Sequence, residues 1–398
     1  MKAIVNGRIL LPELEVRGKV LLYEDQIIGI ADPGETRADE IIDAEGMYVA
    51  PGLIDTHIHG YMGDDASDGD PEGLRRMAER LVKNGVTAFL PTTMTVPREQ
   101  LETAFRQIRR MAAESRGPDW TGAEIAGCHA EGPFINPLRK GAQAETAILP
   151  PEPAWIMQYA DVIRVMTFAP EMPGAEEMIR KIAGDGRIRL SAGHTDATYE
   201  QAAGAIRMGV QRFTHLFNAM PPLHHRQPGA AGAALSGVVR AEVIADGFHV
   251  HPGMFPMLRR ALFNRLVLIT DCVRAGGLPD GEYTLGGQTF TMKGKECRLP
   301  DGTIAGSVLK MNEAVRNYRD FTDVSMAEAV RCASLNAAES AGLADTRGSL
   351  EPGKQADIIL MDDECRVFVT IMHGTVRYQV PRFDFLGQCS DKDKQFKM

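Results

Sequence analysis

Short apolar runs alternate with amphipathic stretches along the chain from Leu53 to Thr270. The apolar runs have the length of buried strands, and the stretches between them carry apolar residues at the spacing of a helix face. Several of these helical stretches stop at a glycine, the usual residue after a last helical turn. Strand and helix repeated eight times predict a parallel (β/α)8 barrel. The eight predicted strands are residues 53–58, 86–90, 124–128, 162–168, 188–192, 210–214, 242–245 and 266–270.

The two ends of the chain carry a different pattern, in which short strands are separated by glycine and proline. We therefore expect an α/β fold in which residues 1–50 and 350–385 form one small β-sandwich domain and residues 51–349 form the barrel. Alternation interrupted by glycines at residues 281–298 predicts a β-hairpin inserted into the barrel domain. Terminal strands are predicted at 3–5, 19–23, 26–30, 40–43, 356–361, 367–372 and 375–378, and helices at 72–84, 98–115, 175–183, 198–208, 252–263, 309–319, 326–333 and 335–341.

Composition excludes several classes of protein. The chain has 398 residues, of which 44% are hydrophobic and 24% charged, as in ordinary soluble globular proteins. A net charge of -9 gives no electrostatic support to a nucleic-acid partner. The six cysteines form no CxxC pair. From the pattern of apolar residues we expect neither a signal peptide nor a membrane-spanning segment. We therefore expect a cytoplasmic protein with reduced thiols and no membrane partner.

Residues able to bind a metal follow the predicted strands at their C-terminal ends, which meet at one rim of a barrel. His57 and His59 end the first strand and, two residues apart, point to the same side of it. A single histidine in such a position is usually a structural hydrogen-bonding group, and a single aspartate is often a helix cap. Six such residues at one rim predict a site for divalent metal ions. The six are His57, His59, Glu131, His194, His215 and Asp271.

The residue types indicate the chemistry of this site. Imidazole and carboxylate ligands suit zinc, iron or another first-row divalent ion. Glu131 can bridge two ions, one held by the first two histidines and the other by His194 and His215. A bound ion lowers the pKa of water from ~15.7 to ~7. Asp271 can then accept the proton of the attacking water and return it to the leaving group, and His129 is a weaker candidate for stabilising the oxyanion.

A second group of polar residues lies in the loops after the sixth and seventh strands. Asn218 and Arg226 follow the sixth strand, and His249 follows the seventh. Because arginine binds phosphate through a planar fork of donors, Arg226 and His249 suit an anionic substrate. An exposed loop arginine without a ligand explains Arg226 equally well. Structural or exposed positions are expected for His224, His251 and His373.

Seven motifs carry a resemblance that covers nearly the whole chain. PGLIDTHIHG by itself is typical of a whole superfamily, whereas EGPF combined with HLFNAM and LPDGEY is much more specific. On these motifs the chain resembles the N-acetylglucosamine-6-phosphate deacetylases of the amidohydrolase superfamily. The motifs are PGLIDTHIHG at 51–60, HAEGPF at 129–134, GHTDATY at 193–199, THLFNAM at 214–220, ADGFHV at 245–250, TDCVRAGGLPDGEY at 270–283 and AGSVLKMNEAVRN at 305–317.

The resemblance implies a barrel with a β-sandwich made from both termini, a homodimer, and metal-dependent hydrolysis of an N-acetyl group. Glu131, His194 and His215 match the metal ligands that family members share. His57 and His59 match a pair found in members with two metal ions. We therefore expect one or two divalent ions per subunit, zinc or iron, with two favoured.

The resemblance also implies roles for residues around the substrate. Asp271 matches the general acid/base of the family, and Gln143 lies where the family commonly has a histidine that touches the sugar hydroxyls. Because of this departure, N-acetylgalactosamine 6-phosphate or another N-acyl amino sugar phosphate is the alternative substrate. The other implied substrate contacts are Asn218, Ala219, His249, Ser307 in the loop at 305–311, and Arg226, which is expected to reach the site of the partner subunit.

Three functions remain open from the sequence. The first is hydrolysis of N-acetylglucosamine 6-phosphate to glucosamine 6-phosphate and acetate. The second is hydrolysis of a cyclic amide or an N-acyl amino acid; many such enzymes use a carboxylated lysine, and no lysine ends the fourth predicted strand. The third is a catalytically inactive barrel that binds a ligand, which is disfavoured because all six candidate metal ligands are present.

Overall fold

A barrel of parallel strands forms the centre of the computed structural model, which describes residues 1–35 and 37–381. Each strand is hydrogen-bonded to the next in chain order. The ring closes where Ile58 pairs with Cys272 and the Asp271 amide donates to the His57 carbonyl at 2.9 Å. The predicted (β/α)8 barrel is therefore confirmed. Its strands are Leu53–Ile58, Val86–Thr93, Glu124–Ile125 with Cys128–Glu131, Ile163–Phe168, Arg189–Ala192, Arg212–Phe213, Arg240–Ile244 and Leu266–Ile269.

The third barrel strand differs from its predicted form, because it runs in two pieces on either side of Gly127. This glycine has a φ of 136°, a conformation that L side chains rarely adopt. Phe89 pairs with Ile125 and Thr92 pairs with His129, so the third strand advances one residue more than its neighbour. An extra residue of this kind bends a strand and changes the side to which later residues point. The second piece extends beyond the predicted end and carries Glu131 to the rim.

The helices on the outside of the barrel begin and end largely where the sequence predicts. Thr198 caps the helix that follows it, in a reciprocal capping box with Gln201. Helix Ala175–Asp185 continues past residue 183, because Gly186, rather than Gly184, adopts the left-handed terminating conformation. No helix in the described part of the chain has the length and apolarity needed to cross a membrane. The helices are Pro71–Leu81, Arg98–Glu114, Pro153–Ile156, Ala175–Asp185, Tyr199–Met208, Gly229–Ser236, Phe255–Leu262, Met311–Thr322, Met326–Ala333 and Leu335–Ala341.

Helix Gly229–Ser236 is not predicted by the sequence pattern. Its sequence, GAAGAALS, consists mainly of small residues, and all of its first six residues are buried. Because it has no polar face, the period that marks an amphipathic helix is missing. Packing at Gly232 is close, since a Cβ atom there would lie 2.3 Å from the Pro228 side chain. The loop after the sixth strand therefore ends at Pro228.

Two sheets beside the barrel are built from the ends of the chain. The six-stranded sheet contains strands from both termini, whereas the four-stranded sheet comes from the N-terminal end alone. The two sheets share one apolar core, which contains Leu21 from one and Ile358 from the other. The expected terminal β-sandwich is thus present. In sheet order the strands are Thr375–Gln379, Val367–Met372, Ile358–Met361, Tyr48–Pro51, Arg8–Leu10 and Glu15–Val16, and Ile27–Ala31, Val20–Tyr23, Lys2–Val5 and Glu40–Asp43.

The limits of the two domains, 1–50 with 350–385 and 51–349, stay predictions. Residues 382–385, like the polar tail from 390 onwards, lie outside the described residues.

The inserted hairpin lies against the rim of the barrel. It has a third strand beyond the predicted two, so that Gly281–Leu285, Gln288–Lys293 and Glu296–Arg298 form an antiparallel sheet. The Gln288 side-chain amide donates to the carbonyl of Ala142 at 2.6 Å. This contact ties the insertion to the loop after the third barrel strand, at the end of the barrel where the predicted ligands lie.

Candidate metal centre and active site

All six predicted metal ligands are buried and meet at the C-terminal rim of the barrel. Three of them, His194, His215 and Asp271, lie two residues beyond the ends of their strands. Their φ angles of 48°, 28° and 51° fall in the left-handed region that residues other than glycine rarely adopt. Such strained backbone concentrates at functional sites, where the surrounding structure holds it in place. The other three ligands are His57 within the first strand, His59 directly after it and Glu131 at the end of the third.

The Glu131 carboxylate lies at the centre of this group. Its Oε1 atom is 3.1 Å from His215 Nε2, 3.2 Å from His194 Nε2 and 3.4 Å from His57 Nε2. Its Oε2 atom faces the other way and is 3.3 Å from His59 Nε2. Because its two oxygens face different histidines, Glu131 has the geometry expected of a bridging ligand.

A second carboxylate completes the group on the side of the first strand. Asp271 Oδ1 is 3.3 Å from His59 Nε2 and 3.5 Å from His57 Nε2. The ligand atoms of these three residues all lie within 4.8 Å of one another, and those of Glu131, His194 and His215 do the same. The side chains thus form two adjacent clusters, each of a kind that binds a divalent ion through nitrogen and oxygen.

In each of the four ligand histidines, Nδ1, the ring nitrogen on the side away from the centre, has a hydrogen-bond acceptor. A carbonyl or carboxylate at Nδ1 accepts a hydrogen bond from that nitrogen, so the Nε2 lone pair is available at the centre. This orientation is what metal ligation by neutral imidazole requires, and the donor set therefore fits a metal centre. The acceptors are the Glu242 carboxylate for His57 (3.0 Å) and the carbonyls of Thr92 for His59 (3.1 Å), Arg139 for His194 (2.9 Å) and Asn218 for His215 (3.2 Å).

The carboxylates create a negative field at the centre. Burial alone lowers the pKa of His59, but Asp271 and Glu131 outweigh it and raise this pKa to about 9. Burial likewise opposes the charge on His57, yet the surrounding carboxylates raise the pKa of this ring well above its usual value. A site that favours positive charge to this extent is electrostatically suited to a cation.

A cavity of about 230 Å³ opens directly above the two clusters. Gln143 lies in its wall, where Nε2 donates to Glu131 Oε2 at 2.5 Å and Oε1 accepts from the Thr95 amide at 2.6 Å. The ring of His249 is oriented by Asp246, whose Oδ2 atom is 2.6 Å from Nδ1. Predicted site residues in the cavity lining are His59, Glu131, Gln143, His194, His215, Asn218, Ala219, His249 and Asp271. Gly306, from the loop at 305–311, also lines the cavity, and the sequence did not indicate the remaining lining residues, Met94, Gly141, Ala142, Leu285, Thr303 and Ile304.

Comparison with known proteins relates this site to a family. Residues 48–387 match the amidohydrolase family. N-acetylglucosamine-6-phosphate deacetylase from Bacillus subtilis is 40% identical over 354 residues, which cover 87% of this chain and 88% of the relative. The chain belongs to the N-acetylglucosamine-6-phosphate deacetylase family of amidohydrolases. It is therefore a hydrolase of amide carbon–nitrogen bonds, from a superfamily that is generally metal-dependent.

Two further relatives bear on this amidohydrolase. N-acetylgalactosamine-6-phosphate deacetylase from Escherichia coli O157:H7 is 38% identical over 87% of this chain and 91% of the relative. A solved structure shows an aspartate-to-alanine mutant of N-acetyl-D-glucosamine-6-phosphate deacetylase from Mycobacterium smegmatis, in complex with N-acetyl-D-glucosamine-6-phosphate. It covers 95% of this chain and 99% of that chain, with a TM-score of 0.86 and 29% sequence identity.

Two predicted substrate contacts of the amidohydrolase lie away from the cavity. The Ser307 hydroxyl is buried, donates to the Thr270 carbonyl at 2.6 Å and accepts from the Leu309 amide at 3.0 Å. Its neighbour Gly306, rather than Ser307 itself, reaches the cavity. Arg226 is exposed in its loop and does not line the cavity.

His129 is not placed to stabilise an oxyanion, so that prediction is wrong. Its ring is fully buried below the cavity, with Nδ1 2.9 Å from the Thr56 carbonyl and Nε2 2.7 Å from the Thr167 hydroxyl. Burial and the nearby His57 ring lower the pKa of His129 to about 3. The side chain is therefore a neutral structural group with both nitrogens engaged.

A layer of charged residues lies beneath the ligands and was not predicted from the sequence. Glu242 accepts from His57 and pairs with Arg212, and both side chains are about 1% exposed. Asp55 accepts a hydrogen bond from the Thr270 hydroxyl at 2.5 Å and thereby joins the first strand to the last. These residues could have been found from the sequence, because each is a charged residue within an apolar strand. Burying a charge costs free energy unless the charge is paired, so such a residue indicates a buried partner.

Proposed function

We propose that this amidohydrolase removes the N-acetyl group of N-acetylglucosamine 6-phosphate, giving glucosamine 6-phosphate and acetate. The observation that carries the proposal is the assembly of two nitrogen–oxygen ligand clusters, joined by Glu131, at the floor of a cavity. Relatives that share most of the chain's length are deacetylases of amino sugar phosphates. The function therefore follows from the site together with the family.

The two clusters would hold one or two divalent ions, zinc or iron. His57, His59 and Asp271 would provide one site, and the other would be formed by His194, His215 and Glu131. When bound, such ions polarise the acetyl carbonyl and lower the pKa of water.

Asp271 is the group that we assign to proton transfer. Burial opposes ionisation of this carboxyl, but His57 and His59 lower its pKa below the usual value. It is therefore a carboxylate at neutral pH and can accept the proton of the attacking water. The same proton then passes to the amine nitrogen as the carbon–nitrogen bond breaks, because an amine anion is a poor leaving group. The second proton of the water also ends on the amine, so acetate and the protonated amino sugar leave with atoms and charge balanced.

The cavity wall provides groups for the sugar and its phosphate. Asn218, Ala219, His249 and Gln143 line it and are assigned to substrate contacts. Arg226 is assigned to the phosphate of the neighbouring active site in a homodimer. Its exposure, in a loop that also exposes Leu223, supports a role outside its own subunit. The assignment places a planar, permanently charged donor group against the phosphate.

A second substrate, N-acetylgalactosamine 6-phosphate, is favoured by two observations. Gln143 replaces the histidine expected at this position, and one relative of 38% identity is a deacetylase of the galacto sugar. A change of donor in the wall alters which hydroxyl orientation is satisfied.

An acetate-release assay tests the proposal. The substrates are the 6-phosphates of N-acetylglucosamine and N-acetylgalactosamine, together with unphosphorylated N-acetylglucosamine, and the metal content is measured on the same sample. We expect release from at least one phosphorylated sugar and a much lower kcat/KM for the unphosphorylated one. Absence of release from metal-loaded protein with every substrate would refute the function.

We also propose a cytoplasmic location. The five described cysteines, Cys128, Cys272, Cys297, Cys332 and Cys365, are buried and unpaired, which supports a reducing compartment. Cys389 lies outside the described residues.

A further inference from the structure

Gln143 makes two strong contacts with the protein itself, in addition to facing the cavity. Its side chain is 2% exposed and lies between the Thr95 amide and the Glu131 carboxylate. We propose that Gln143 is a positioning residue that holds the Oε2 atom of Glu131 and so sets the metal affinity of the His57–His59–Asp271 cluster. This inference rests on the metal ligands of the proposed function and adds a residue that controls one of the two sites.

The direction of the carboxamide follows from its partners. The Thr95 backbone N–H can only donate, so it must meet the side-chain oxygen of Gln143, at 2.6 Å. The nitrogen is thereby turned towards Glu131, whose ionised carboxylate can only accept, and the distance to Oε2 is 2.5 Å. A reversed amide would place donor against donor and acceptor against acceptor. The orientation therefore presents an N–H to Glu131.

This N–H acts on one half of the Glu131 carboxylate. Oε1 faces His194, His215 and, at 3.4 Å, His57, whereas Oε2 faces His59 and Gln143. A donor at Oε2 fixes the rotation of the carboxylate and draws electron density to the oxygen that faces His59. Groups of this kind behind a metal ligand typically change metal affinity 10–100-fold when removed. The effect is expected mainly at the His57–His59–Asp271 cluster.

The backbone of the Gln143 loop is held by other contacts. The backbone N–H of Gln143 donates to the Lys140 carbonyl at 2.9 Å, and the side chain of Gln288, in the inserted sheet, donates to the Ala142 carbonyl. Removing the Gln143 side-chain amide therefore leaves the loop anchored. Gln288 offers a matched control, because it is a glutamine that holds the same loop without touching a ligand.

Zinc binding to the purified full-length protein tests the proposal. Metal-free wild type, Gln143→Leu, Gln143→His and Gln288→Leu are titrated with Zn²⁺ against a chromophoric chelator, and circular dichroism confirms folding. Wild type should bind two ions per chain. In Gln143→Leu one site should weaken by about 10–100-fold while the other keeps its affinity. Gln143→His should retain both sites, because an imidazole accepts at one nitrogen and donates at the other. Gln288→Leu should also bind as wild type.

Several results would overturn the inference. These are unchanged binding in Gln143→Leu, equal weakening of both sites, the same selective loss in Gln288→Leu, or a single zinc ion in wild type. Acetate release by the wild type reports separately on the proposed function. A chain that shows the selective loss but releases no acetate would retain Gln143 as a positioning residue and lose the deacetylase assignment.

Discussion

Replacement of Glu242 by glutamine tests the charged layer beneath the metal ligands. Glutamine has nearly the shape of glutamate, so the change removes a charge without opening a cavity. Arg212 then keeps its charge in the barrel interior, where it is 1% exposed and also contacts the Ser340 carbonyl at 3.2 Å. His57 at the same time loses the carboxylate that orients its ring at 3.0 Å. We expect both stability and metal binding to fall.

The size of the stability loss follows from burial. Breaking a buried ion pair by removing one partner costs about 3–5 kcal/mol, because the other charge remains desolvated. Glutamine retains an acceptor for Arg212, so the lower end, about 3 kcal/mol, is expected. The Glu176–Arg180 pair is the contrasting case, since its side chains are 66% and 67% exposed at a distance of 2.7 Å. Glu176→Gln should cost less than about 1 kcal/mol.

Urea unfolding at neutral pH, followed by tryptophan fluorescence, measures both variants against wild type. At this pH Glu242 is ionised, because Arg212 and His57 overcome the effect of burial and hold its pKa well below the usual range. Its contribution is present above the ordinary glutamate pKa of ~4.3 and is lost as the pH falls towards the folded-state value. Measurements with excess zinc and with excess chelator separate the loss of bound metal from the loss of the ion pair.

In chelator, the Glu242→Gln variant should unfold at clearly lower urea concentration than Glu176→Gln. Equal midpoints for the two variants, with equal slopes, would refute the reasoning. The buried pair would then contribute no more than a pair on the surface.

Three further outcomes are expected. Asp271→Asn should lower kcat for acetate release by at least about 10²-fold while the circular dichroism spectrum stays unchanged, and near wild-type turnover would exclude the proton-transfer role. Chelation should abolish acetate release in parallel with metal content, and zinc or iron should restore it; activity that survives metal loss contradicts the assignment. Glu124 accepts a hydrogen bond from His373, and this contact raises the pKa of the histidine. Protonated His373 therefore stabilises the fold fully below its ordinary pKa, and this stabilisation is lost as the pH rises through the raised pKa. His373→Gln should therefore lower the melting temperature at about pH 5.5 and much less at about pH 9, and an equal loss at both would exclude a charge effect.

Local patterns were sufficient for the barrel and most of its ligands. Buried strands and amphipathic helices produce recognisable patterns of apolar residues in the sequence. Residues that follow the strands of a parallel barrel all lie at one rim. His57, Glu131, His194 and Asp271 were therefore recognisable by position. Helix Gly229–Ser236 shows no such periodicity in its sequence, because it consists mainly of small residues and is apolar on most sides.

The direction of individual side chains was decided only by tertiary structure. His129 and His57 lie close together and both lie on barrel strands, yet one points below the cavity and the other into the centre. The extra residue at Gly127 alters the alternation of the third strand, and no periodicity reveals it. The hydrogen bond from Thr270 to Asp55 likewise joins the first and last strands, which are adjacent only in the closed barrel. The sequence by itself determined which residues lie at the rim, since that depends on where the apolar strands begin and end along the chain. Packing between strands decided which of them face one another, since that depends on register and closure.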